Sequence, residues 1–71
     1  MAQTVEQSVM PTLGTLLQEH HEVVALGREL IRMSIGARAA NRIDEAVAAE
    51  QAAEDYFAEA MQLEERLRSQ L

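Results

Sequence analysis

Residues 13–34, LGTLLQEHHEVVALGRELIRMS, decide how this chain folds. Their apolar side chains recur at helical spacing in two adjacent heptad series. Leu16, Val23 and Leu30, continued backwards by Val9, form the first, and Leu17, Val24 and Ile31, continued backwards by Met10, form the second. At about 100° per residue, the two series flank a line made of Leu13, His20, Gly27 and Ser34, and the stripe spans roughly 150° of the helix. One antiparallel neighbour covers less than that. A stripe so wide suits a helix packed against two neighbours in a bundle.

Toward the C-terminus, Gly36 follows Ile35 in the place of a helix C′ glycine, and Arg32 brings a cation to the last turn, so the spacing predicts helix 1 over residues 11–35. Pro11 suits a first helical turn, while residues 1–10 are expected to be flexible or a short helical turn with Thr4 and Gln7 at capping-box spacing. Residues 36–41 read as a turn. Asn41 can cap helix 2, which is expected over 42–70 with Asp44 and Glu45 at its positive end. So short a connection makes the helices antiparallel neighbours in a single domain, 1–71.

Helix 2 carries an inward line of Ala46, Ala49, Ala53, Tyr56, Ala60, Leu63 and Leu67, spaced alternately by three and four, with Ile43 and Phe57 on its flank. Small residues on such a line let two helices approach closely. Glu54, Asp55, Glu59 and Glu65 form an outward acidic stripe. Glu64, near the chain end, reads as solvated or paired with Arg68, and Glu50 is placed to meet Arg28 or Arg38 of a second chain.

A 71-residue chain with no Cys cannot be stapled by disulfides or a thiolate zinc site. A core of this size rarely supplies more than about 3–5 kcal/mol, so association is the remaining route to stability. The expected fold class is therefore all-α: an antiparallel two-helix hairpin that dimerises into a four-helix bundle. Its interface is expected to draw on Leu13, Leu16, Leu17, His20, Val23, Val24, Gly27, Leu30 and Ile31 of helix 1. From helix 2 come Ala53, Tyr56, Phe57, Ala60, Leu63 and Leu67.

The formal charge is −6, and all six basic residues are Arg. That balance repels a phosphate backbone, and no basic cluster interleaves with aromatics, so nucleic acid is not an expected partner. No run approaches the roughly 20 apolar residues of a membrane span, and the opening MAQTVEQSVMP lacks the basic and apolar regions of a signal peptide. A cytoplasmic location is expected, and the absence of Cys fits a reducing compartment. The expected partners are a second copy and another protein, most easily a basic one.

Chemistry has little to build on. With no Cys, no Lys, no Gly-rich phosphate loop and no Ser on a strand-to-helix turn, nucleophilic catalysis lacks its parts. Neither an enzyme nor a cofactor is expected. His20, on the midline of the apolar stripe, reads as a buried residue of core or interface; alternatively, two copies of it meet in a dimer and ligate a metal or haem. Ferritin-type sites need Glu-x-x-His pairs, and neither His20 nor His21 has a Glu three residues earlier. Glu19 and Glu22 are similar to one Glu-x-x-Glu half of the magnesium site in all-α nucleotide pyrophosphohydrolases, but the companion Glu-x-x-Asp is absent from residues 45–71. The sequence thus points to a small acidic interaction or assembly module, an adaptor, inhibitor or chaperone-like protein, with the His20 ligand site as the alternative.

Overall fold

The computed structural model describes residues 12–71, so the expectations for residues 1–11 lie outside it. Two helices, α1 (Leu13–Ala39) and α2 (Ile43–Ser69), form an antiparallel hairpin. Thr12 opens α1 as its N-cap, accepting a hydrogen bond on Oγ1 from the amide of Thr15 at 3.1 Å. This satisfies one of the free donors of the first turn.

The end of α1 differs from the sequence expectation. Gly36 does not stop the helix, which continues through it to Ala39. The residue that turns left-handed is Asn41, at φ 64°. The amide of Asn41 donates to the carbonyl of Arg38, and that of Arg42 donates to the carbonyl of Ala37, at 2.9 and 2.7 Å. These two bonds make a Schellman motif with Asn in the place more often held by Gly, which Asn tolerates because it visits left-handed conformations more readily than other side chains do. Asn41 is accordingly not the N-cap of α2. Arg42 takes that position with no side-chain cap bond, while Asp44 and Glu45 place negative charge in the first turn.

The helices meet along seams of alternating three- and four-residue spacing. Leu16, Val23, Gly27 and Ser34 are buried on α1, and Ala46, Ala53, Ala60 and Leu63 on α2. His20 and Leu30 complete the α1 seam half-buried, as Ala49, Tyr56 and Leu67 complete that of α2. Bulk is concentrated away from the turn, where Leu16, Val23, Ala60 and Leu63 form the core cluster with Val24, Tyr56 and Leu67 packed against it. Nearer the turn the seam narrows to Ser34, Ala46 and Ala53, and the hydroxyl of Ser34 is satisfied by the carbonyl of Ile31 at 2.7 Å.

At Gly27 an α2 side chain takes the space a Cβ would fill. A methyl group there would lie 2.6 Å from Cε1 and 2.8 Å from Cζ of Phe57, whose ring lies across the glycine. Gly27→Ala must therefore push out a half-buried ring, and that loss offsets the gain of about 1 kcal/mol in helix propensity. Gly27→Ala is expected to leave thermal stability unchanged or lower it by up to about 1 kcal/mol, whereas in a Phe57→Ala background it should raise stability by about 1 kcal/mol. Equal effects in both backgrounds would show that the ring does not occupy that space.

Gly36 supplies the contrasting case, because nothing lies within 4 Å of a methyl group added there. Gly36→Ala should stabilise the hairpin by about 0.5–1 kcal/mol, and Asn41→Ala should destabilise it by about 1 kcal/mol, both read from chemical denaturation. The opposite pair of signs would place the helix end at Gly36.

Candidate interaction surface

The seam leaves two broad flanks on the hairpin. One is crossed by three contacts between α1 and α2: Phe57 over Gly27, His20 to Glu64, and Arg38 to Glu50. This flank is rich in unburied apolar side chains. On α1 it carries Leu17 (54 % exposed), Ile31 (36 %) and Ile35 (63 %), with Val24 half-buried. On α2 it carries Ile43, Val47 and Met61 (67 % exposed), with Phe57 half-buried. These positions are separated by about whole numbers of helical turns, so each helix has a second track about a quarter-turn from the first.

Two polar pairs stand near the ends of this flank. Near the turn, Arg38 donates from Nε and Nη2 to the two carboxylate oxygens of Glu50, both at 2.8 Å. The fork geometry matches guanidinium to carboxylate. The Glu50 carboxyl is held below its ordinary value chiefly because it accepts these hydrogen bonds, with the charge of Arg38 adding to the effect and partial desolvation opposing it. Toward the open end, His20 Nε2 lies 2.9 Å from Glu64 Oε2 and donates to it, since an ionised carboxylate can only accept.

Within the hairpin His20 is therefore only half-buried. The hairpin seam runs between the midline of the α1 stripe and the Leu16 series, which leaves the imidazole at the seam's edge with its side chain 27 % exposed. Glu64 is likewise engaged with His20 rather than solvated or paired with Arg68. Glu50 does find Arg38, but within the same chain.

The opposite flank is acidic. Glu19, Glu22, Asp55 and Glu59 line an open trough around Val23 and Leu63, with Arg66 on its wall. Glu19 and Glu22 thus do face carboxylates of α2, although not in Glu-x-x-Asp spacing. Among the described residues, no three His, Asp or Glu side chains come close enough together to hold a metal ion. None of the described helices is long and apolar enough to cross a membrane.

The expected interface residues divide between two roles. Leu16, Val23, Gly27, Ala53, Ala60 and Leu63 are buried in the hairpin's own seam, and Leu30, Tyr56 and Leu67 border it. Leu13, Leu17 and Ile31 stay exposed, and Val24 and Phe57 are half-buried beside them. Ile43, read from the sequence as flanking the α2 line, belongs with this second group, as do Ile35, Val47 and Met61, which the sequence reading missed. Their signal is the 43, 47, 50, 54, 57, 61 series, whose two glutamates hide its periodicity. Compared with models of known protein families, with curated proteins and with solved structures, the chain matches none.

The Arg38–Glu50 pair gives the hairpin an acid-sensitive element of known sign. A carboxyl held below its unfolded value of about 4.3 contributes stability above that value and loses it as the pH falls through the folded value. At neutral pH, Glu50→Gln should melt at a lower temperature than the unaltered chain, and the gap should close as the pH drops through and below the carboxylate range. A gap that persists undiminished in acid would mean that the charge of Glu50 is not what stabilises the pair.

Proposed function

We propose that this chain is a small acidic assembly module that pairs with a second copy to form a four-helix bundle, and in that form binds another protein. One observation carries the reading. Among the described residues three large apolar side chains, Leu16, Val23 and Leu63, are buried, while a track of others on each helix stays open on one flank, with Leu26 and Met33 of α1 open on the other. Scattered exposed leucines are ordinary, but a contiguous apolar strip on so small a chain favours a partner that covers it. The charge of −6 and the acidic trough favour a basic protein surface as the further partner and disfavour phosphate.

A second reading, His20 as a ligand at the centre of the bundle, draws on the same flank. His20 is at its edge and donates from Nε2 to Glu64, which leaves the ring's lone pair on Nδ1, the arrangement in which a carboxylate orients a metal-ligating histidine. Stoichiometric zinc binding that is lost in His20→Ala would promote this reading over an assembly role without ligands.

Sedimentation at micromolar concentration should find a dimer. Ile35 is exposed in the hairpin, so Ile35→Glu should leave the helices formed while losing two isoleucine contacts per dimer. At about 1.5 kcal/mol each, this weakens association by about 100-fold. A helical monomer at micromolar concentration, before any substitution, would refute the proposal.

A further inference from the structure

We infer that the second copy docks with its two-fold axis along the length of the hairpin, so that α1 of each copy lies on α2 of the other; the inference rests on the homodimer proposed above. The apolar flank is large enough for a stable partner. Each 27-residue helix is about 40 Å long. A pair of them is about 20 Å wide, so the flank offers about 800 Å² per copy, the area of a standard stable interface.

Two closed arrangements keep every pair of adjacent helices antiparallel across this flank. With the axis running across the hairpin, α1 meets α1 and α2 meets α2. With the axis running along it, α1 meets α2 at both contacts. The charges on the two tracks decide between them. The titratable residues on the α1 track are His20, His21, Arg28 and Arg38, and those on the α2 track are Glu50, Glu54, Glu64 and, at its end, Arg68; His20–Glu64 and Arg38–Glu50 are paired within each copy, which leaves Arg28 and Glu54 as the central unpaired charges. The transverse axis sets the track carrying Arg28 against its own counterpart and the track carrying Glu54 against its own. The lengthwise axis sets Arg28 of one copy near Glu54 of the other at both contacts. Like charges brought together across an interface are penalised, so the pattern selects the lengthwise axis.

That axis also fixes which residues meet. It leaves every residue at its own height along the hairpin, and the contacts of His20 with Glu64 and of Gly27 with Phe57 show that residue numbers at equal height add to about 84. Val24 of one copy therefore stands beside Met61 of the other, and Leu17 beside Arg68. The transverse axis pairs Val24 with residues of α1 instead.

The full chain has no Cys, so one introduced thiol per copy reports its neighbour without ambiguity. Val24→Cys and Met61→Cys chains, each shown by sedimentation to dimerise, are refolded alone or together and then oxidised. A second pair, Leu17→Cys and Arg68→Cys, tests another height. The lengthwise axis predicts disulfide-linked dimers in both mixtures, at least about 10-fold above either variant of that pair alone. Val24→Cys joining to itself as efficiently as to Met61→Cys would overturn the lengthwise axis, as would dimers that cross-link in neither mixture; both results leave the homodimer standing. A chain that sediments as a monomer, whether residues 1–11 or only a different protein covers the flank, would overturn the axis and the homodimer together.

Discussion

Everything in this hairpin follows from how closely its two helices approach. Ala46, Ala53 and Ala60 on one side and Gly27 and Ser34 on the other put little bulk into much of the seam, and Phe57 fills the space left open at Gly27. Small seams give close contact but little apolar bulk, because an alanine methyl removes far less surface from water than a leucine side chain does. Most of the large aliphatic side chains among the described residues therefore have no place inside. They collect beside the seam, where Phe57 reaches back over Gly27 to close one side of it. The apolar flank and the modest internal core are two results of one packing choice.

The polar pairs do a different job from the seam. A line of methyl groups can slide, since one alanine resembles the next, and small seams specify axial position poorly. Arg38 with Glu50 and His20 with Glu64 fasten the two helices near either end of the shared length. Both pairs are partly exposed, so screening limits how much each stabilises. Their specific geometry nevertheless distinguishes the observed register from one shifted by a single turn, which would separate both at once.

Helix identity and the α2 seam were legible in the sequence because both rest on periodicity alone. The line from Ala46 to Leu67 is the face that packs inward. The α1 stripe was read less well: its width was correct, but a lone neighbour takes only one side of it, and periodicity cannot say which. The turn was misplaced for a chemical reason. Gly36 looks like a helix terminator, yet the chain reverses at Asn41, using backbone bonds that depend on conformation rather than residue type. That error in the turn propagates, because the register of α2 against α1 depends on where α1 ends. The His20–Glu64 bond, which spans 44 residues, was therefore out of reach of the sequence.

The same turn orders the route by which the chain closes. Contacts across the hairpin lengthen steadily from it, with Arg38 and Glu50 only 12 residues apart and His20 and Glu64 at the far end. Each layer that forms brings the next within reach, so the loop entropy to be overcome rises by small steps rather than in one large closure. Topologies dominated by such near contacts fold fast. Here the layers that close first are the small ones near Asn41, and the bulky cluster of Leu16, Val23 and Leu63 is completed late. The small-residue layers thus guide the search, while most of the buried apolar area arrives only as the open ends meet.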